Sequence, residues 1–480
     1  MSTAAHNLAQ LLHSKANVPS LNSAFRAAEE AVSSGVVDRE TWVQTVEACV
    51  AALTVPTAFV RPLRNDEKSI AARTWFKQQA ELSFGFVKVA IGSPPDKEAL
   101  ESVICPVLVA CASFLGDEEG IWCCAHIRDK AQDLLTTLLS HHPRRLSTLI
   151  SAHAADILTT HIKPFFTHQR VHDTGNRAVV TKQQEIENVW SDEQPGDVQL
   201  WKTERVDCVQ VLGWVVLHLE HGQIAPIQHL LFPALLTLLD DHDPAYKTIG
   251  AQLTHHAIVK NSAPMDIRRT GLGDVFFNFL LPCLTYHSDP PLLRSALPCI
   301  VDLVPVIEIV GSEAYCVRLE RVMQEGVLRG LSFAAGGKVE VLRTILQIIP
   351  DLVSRLGIIT VRHLQSLLGT TTTLLHLHTH DTPTQLLAAR AVLTLIREAW
   401  PRVAQYRGVV MKGVAGCWRG LGVEKTEGQA GEGEKGELRR LLREICVALR
   451  EVCGREVEPD FRLLLRMNAP FYKNLVPIAA

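Results

Sequence analysis

The chain has 480 residues, 47% of them hydrophobic and 21% charged, a composition that can bury a large apolar core without disulfide staples. Lys and Arg number 48 against 51 Asp and Glu, so no general attraction to nucleic acid or to an anionic membrane follows. Aromatic residues, at 6%, are too few for a base-stacking platform. The 12 cysteines are scattered, with no C-x-x-C pair. Most lie in apolar runs, as Cys299 does, where a thiol acts as a small hydrophobe. There is no Asn-x-Ser/Thr acceptor, and the N-terminus does not resemble a secretory signal. The most apolar run, around Cys299, is broken by Asp302, Glu308 and two prolines and reads as too short to span a bilayer. A reduced, cytoplasmic or nuclear setting is expected.

Residues 1–167 read as N-terminal helical repeats. One unit begins with the apolar run at Ile104, passes an acidic turn and resumes in a leucine-rich helix. Residues 168–199 are polar and turn-rich, and are expected to form an insertion between repeats. Residues 200–422 hold the clearest repeats. In 224–260 a leucine-rich helix carries an internal proline, Pro233, and ends in an acidic turn. Asp243-Pro244 then opens the next helix, since Asp accepts a hydrogen bond from a first-turn amide and Pro has no amide to leave unsatisfied. Tyr246, Ile249, Leu253 and Ala257 follow at helical spacing and predict the apolar stripe of that second helix.

The same pattern returns with Pro282 in the place of Pro233 and Asp289-Pro290 in the place of Asp243-Pro244. The offset of 46 to 49 residues is close to that of HEAT units, roughly 40–47 residues. A looser third copy starts at Thr382-Pro383. Residues 423–437, rich in Gly and Glu, predict a disordered linker, and 438–480 predict C-terminal helices. The fold class that follows is all-α: an α-solenoid of stacked antiparallel helix pairs of the HEAT/armadillo-like kind, because each pair carries more apolar surface than it can bury alone.

Catalytic chemistry is not indicated. The G-x-G-x-x-G match at 431–436 has no preceding strand and carries glutamates that would repel phosphate. His376, His378 and His380 with Asp381 lie close together, but the spacing is not a zinc pattern, so they read as a helix end with Thr382 capping the next helix. His141-His142 and His255-His256 read as surface or boundary residues. HEAT-type di-iron hydroxylases carry repeated His-Glu dipeptides, and this chain has none. No cofactor and no metal site is expected.

The candidate interaction residues lie in two strings. Asp240, Asp241, Asp243 and Lys247 form an acidic turn with Lys247 expected on the solvated face. The alternative is that they line a polar ladder on the inner edge of the solenoid, where partners dock. In the second string Gly271 and Gly273 permit a tight turn, and Asp274 is placed to cap the helix holding Phe276 and Phe277. Arg268 and Arg269 have no evident structural duty there, which makes them the preferred interface candidates.

The order of these strings, from Trp201 through the acidic turn to Arg268, Arg269, Thr270 and Gly271, resembles the Tti-two family over about residues 200–287. The ending from Asp460 to Pro477 is also similar. The resemblance implies an α-solenoid subunit of the triple-T co-chaperone complex with no catalytic residues. It implies direct binding to the larger scaffold Tti-one and, within the same assembly, to Tel-two. Phosphatidylinositol-kinase-like kinases would be its clients and heat-shock chaperone machinery an indirect partner, with neither nucleic acid nor membrane involved. Another HEAT adaptor, such as a transport receptor or phosphatase scaffold, is the alternative, because fold alone does not fix function.

Overall fold

The computed structural model describes residues 7–8, 12, 18–35, 37–117, 120–141, 145–166, 199–334, 337–377, 381–422 and 433–477. Among them every regular element is helical. The expected 168–199 insertion, apart from Gln199, lies outside the described residues, as do His142, His378, His380 and 423–432.

Two compact units emerge, the first running to Thr237 and the second taking most of the chain from Leu238. The division falls inside a helix, Gln228–Asp240.

The first unit contains α1 (Val18–Ser33), α2 (Arg39–Ala51), α3 (Glu67–Gly92), α4 (Lys97–Leu115), α5 (Ala125–His141), α6 (Leu146–Ile157), α7 (Lys163–Phe166), α8 (Leu200–Thr203) and α9 (Cys208–His218). Helices α1, α3 and α5 stack side by side in one layer, and α2, α4 and α9 in the other. Because α9 packs on α4 and α6, the first stretch of the expected central block completes the N-terminal stack instead. Asp38, Asp66 and Asp96 cap α2, α3 and α4 by accepting from Thr41, Ser69 and Ala99 amides, which satisfies first-turn donors. The acidic turn after α4 is organised by Asp117, whose carboxylate accepts from the Trp122 and Cys123 amides, both at 2.9 Å.

The helix containing the division is α10 (Gln228–Asp240). The second unit continues with α11 (Pro244–Thr254), α12 (Pro264–Thr270), α13 (Leu272–Cys283), α14 (Pro290–Ile307), α15 (Glu313–Val322), α16 (Arg329–Ala334) and α17 (Val339–Leu356). It ends with α18 (Leu364–Leu377), α19 (Thr382–Glu398), α20 (Trp400–Val403), α21 (Arg407–Leu421), α22 (Glu434–Cys453) and α23 (Glu458–Tyr472). Here α11, α14, α17, α19 and α22 form one continuous column, each packed on the next, while α13, α18 and α21 back onto it. This is the two-layer stack of an α-solenoid, in which each repeat touches only its neighbours.

The Asp-Pro start signals behave as expected in two copies: Asp243 accepts from the Ala245 amide and Asp289 from the Leu292 amide, each at 2.9 Å. In the third copy the cap is Asp381, accepting from the Thr384 amide, not Thr382, which is already helical. A carboxylate outcompetes a hydroxyl for that place because its hydrogen bond is charge-assisted. Pro233 and Pro282 sit inside α10 and α13. Among the described residues three helices widen into π turns, at Leu158–Ile162, His255–Lys260 and Met323–Leu328. Helix α22 begins at Glu434, four residues inside the expected linker; Glu434 and Glu437 in its first turn favour the positive end of the helix dipole.

By length and composition α4, α14 and the stretch Val339–His376 could cross a membrane, with 67%, 61% and 44% of their apolar windows buried inside the protein. The run around Cys299 is therefore long enough, contrary to the reading from sequence, and its apolar faces are largely covered by neighbouring helices. Helix α14 buries Leu292, Leu293, Leu297, Ile300, Leu303 and Val304 completely, each worth about 1.5–3 kcal/mol against exposure.

Helices α18 and α21 approach closely at Gly413, where a Cβ would lie 2.8 Å from the Thr372 carbonyl oxygen. Replacing Gly413 with Val must push two packed backbones apart, at a cost of about 3 kcal/mol. A thermal melt followed by circular dichroism is expected to shift down by several degrees with helix content retained.

Candidate protein-interaction surface

The acidic turn between α10 and α11 is built around two buried charges. Asp241 is 4% exposed and accepts the Asp243 amide at 2.8 Å, while Asp240 faces solvent. Lys247 is only 7% exposed, which corrects its expected place on the solvated face. Its Nζ donates to the Leu239 carbonyl at 2.6 Å and lies 5.5 Å from the centre of the Tyr286 ring. A cation at the last carbonyls of a helix offsets the negative end of its dipole and satisfies an orphan acceptor. Lys247 is thus a C-terminal cap of α10. The buried side of α11 is Lys247, Gly250, Ala251, Leu253 and Thr254, so the stripe expected from Tyr246 and Ile249 is rotated. Gly250 explains the rotation: its Cβ would lie 3.0 Å from the Leu239 nitrogen, and only that face fits against the preceding helix.

Arg268 has the same duty, which overturns the expectation that it was structurally idle. Its Nε donates to the Val306 carbonyl at 3.0 Å, and its Nη2 donates to the Pro305 and Glu308 carbonyls, each at 2.8 Å. It therefore closes the end of α14. Gly271 adopts φ +68°, the left-handed conformation that ends α12. The Thr270 hydroxyl bonds back to the Asp266 and Ile267 carbonyls. Gly273 is a close-approach residue, since a Cβ there would meet Ile307 at 2.7 Å. Asp274 makes no cap; it pairs with Arg318, which also holds Glu308 at 2.8 Å and covers the Phe277 ring. Nothing in local spacing marked Arg318, because its partners come from two other elements.

Among the eight candidates Arg269 is open to solvent, its side chain 81% exposed and 3.9 Å from Asp266. Around it the same region exposes Met265 on α12, Ile309 and Val310 just beyond the carbonyls held by Arg268, and Val317 on α15.

Polar links between successive helices are made by other residues. His255 Nε2 lies 3.0 Å from Asp302 Oδ2, and Arg355 binds Asp302 and the Val301 carbonyl, so α14 is tied to the elements on either side. His255 is thus a link in the stack, not the surface or boundary residue expected. Arg343 joins α17 to Asp381 at 2.6 Å, and Arg390 joins α19 to Glu437 of α22 at 2.6 Å. The hydrogen bond from His255 and the Arg355 charge hold the Asp302 carboxyl below its usual range, against burial, which raises it.

In the first unit a cavity of about 320 Å³ is lined by Glu47, Val109, Ser113, His161, Arg205 and Asp207 among others. Arg205 pairs with Asp207 through two bonds, at 2.9 and 3.1 Å. Burial raises the thiols of Cys105 and Cys123 to about 11 and of Cys111, Cys417 and Cys446 to about 12, which keeps them protonated and unreactive near neutral pH. No group of three or more metal-ligating side chains gathers among the described residues. His376 abuts Gly416 of α21, where a Cβ would lie 2.1 Å from its Nδ1.

Stacked helix pairs, capped by motif cations and joined by polar links, define a helical-repeat protein of the α-solenoid class. The chain belongs to the Tti2 family, whose profile matches residues 107–377, more than half of its length. That match starts within the expected N-terminal helical repeats, at residue 107. TELO2-interacting protein 2 of Mus musculus is 29% identical over 189 residues, 37% of this chain and 35% of that one. TELO2-interacting protein 2 of Homo sapiens is 26% identical over 217 residues, 42% of this chain and 40% of that one. The matched region thus spans well under half of these relatives. Among solved structures, importin beta aligns with a TM-score of 0.45 at 13% identity, covering 89% of this chain and 50% of that one.

Arg268→Ala would strip donors from three carbonyls and is expected to cost about 1–3 kcal/mol, whereas Arg269→Ala should leave the melting temperature within about a degree. Equal melting temperatures for the two variants would contradict the capping role. Because the Asp302 pKa is depressed on folding, its contribution is present above the unfolded value of about 3.9 and lost as pH falls through the folded one. Stability measured between pH 6 and pH 3 should therefore fall less steeply in Asp302→Asn than in the parent chain.

Proposed function

We propose that this chain is a non-catalytic scaffold subunit of the triple-T co-chaperone complex, supporting the folding, stability and assembly of phosphatidylinositol-kinase-like kinases. The family match across residues 107–377 carries this reading, and the relatives named for interaction with TELO2 point the same way. The structure is compatible with it: motif residues serve helix ends, and charged and apolar side chains such as Arg269, Met265 and Ile309 are offered outward. In this reading the chain binds the larger scaffold Tti-one directly and Tel-two within the same assembly. Heat-shock machinery is engaged indirectly, in the cytoplasm or nucleus, and surface shape does the work that a reactive group does in an enzyme.

Affinity purification of the full chain followed by mass spectrometry is expected to recover two larger helical subunits. Depletion is expected to lower the amounts of the large kinases without lowering their transcripts. Unchanged kinase levels, with no larger subunit recovered, would refute the proposal.

A further inference from the structure

The last helix of the second unit, α23, presents two different sides. On the inward side of α23, Phe461 is 1% exposed with the Arg450 guanidinium 5.3 Å from its ring centre. Glu458 pairs with Arg450 at 2.9 Å and Asp460 with Arg407 at 3.1 Å. The Trp418 indole donates to the Phe471 carbonyl at 3.1 Å. The helix breaks at Asn468 (φ −161°, ψ 84°), whose side chain accepts the Phe471 amide. Every acidic side chain of α23 is thereby engaged by an arginine of a neighbouring element.

The outward side is different. Leu463 and Met467 are 59% and 70% exposed, four residues apart and therefore on one face. Arg462 and Arg466 run beside them at the same spacing, both exposed, and neither has a hydrogen bond or ion pair among the described residues. Apolar and basic stripes lie side by side, and among the described residues no carboxylate pairs with the second.

We infer that this outward face of α23 docks an acidic amphipathic helix from a partner protein, its apolar residues covering Leu463 and Met467 and its carboxylates meeting Arg462 and Arg466. The inference rests on the scaffold reading above and names the surface through which a larger subunit is held. Charge complementarity selects the occupant: two unpaired arginines call for carboxylates, and Arg and Met are enriched where proteins meet. A lipid surface fits less well. Two apolar side chains bury too little area for interfacial binding, and two cations add only about 1 kcal/mol each near an anionic membrane.

The test uses the full chain co-expressed with Tti-one and Tel-two, comparing the parent with Arg462→Glu/Arg466→Glu and with Leu463→Ser/Met467→Ser. Each double variant is expected to retain about tenfold less of the larger subunit, with the parent's own retention falling as salt rises and the melting temperature of the isolated chain unchanged. Unchanged retention in both variants would overturn the docking face while leaving the scaffold reading intact. If the parent itself retains no larger subunit, both readings fall. Lost retention with a matching drop in melting temperature would make the face structural, and parent-only sedimentation with phosphatidylserine vesicles would make it a lipid contact; either result overturns the inference.

Discussion

The central helices of the long column in the second unit carry wide apolar faces that neighbouring helices cover. Helix α14 shows the constraint plainly. Leu292, Leu293, Ala296, Leu297, Cys299, Ile300, Val301, Leu303 and Val304 are all fully buried, against α11 on one side, α17 on the other and α13 behind. No isolated hairpin could dispose of so much apolar surface, so the repeat is stable only as a member of a stack. The rest of the architecture follows from having to end many helices inside such a packed body.

Ending a helix leaves carbonyls without donors, and burying them unpaired is costly. Lys247 and Arg268 answer this directly, the first on the Leu239 carbonyl and the second on three carbonyls at the close of α14. Gly250 and Gly273 let the neighbouring elements come close enough for those bonds to form. These four residues therefore shape helix junctions. That separates two questions often run together: which residues identify the fold, and which meet a partner.

The links between successive helices are polar and long-range. Asp302 joins His255 and Arg355, Arg343 joins Asp381, and Arg390 joins Glu437. These pairs are partly exposed, so each adds modest stability, but they fix the lateral register of helices whose apolar contacts are non-directional. An apolar seam tolerates sliding better than a directional, charge-assisted hydrogen bond between a guanidinium and a carboxylate. The column gains its registry from such pairs and its cohesion from leucine, isoleucine and valine.

Much of this was determined by the sequence on its own. Helical periodicity, Asp-Pro caps at Asp243 and Asp289, internal prolines and the spacing of the copies all follow from rules acting within a few residues, and they lead to stacked helix pairs. The tertiary structure alone decided what Lys247, Arg268, His255 and Arg318 do. The partner of each comes from another turn or helix, and a cation looks the same in sequence whether it meets water or a buried carbonyl. Where one unit gives way to the next was also a tertiary outcome, because α9 is held by the helices it packs on, and local pattern carries no information about which neighbour that is.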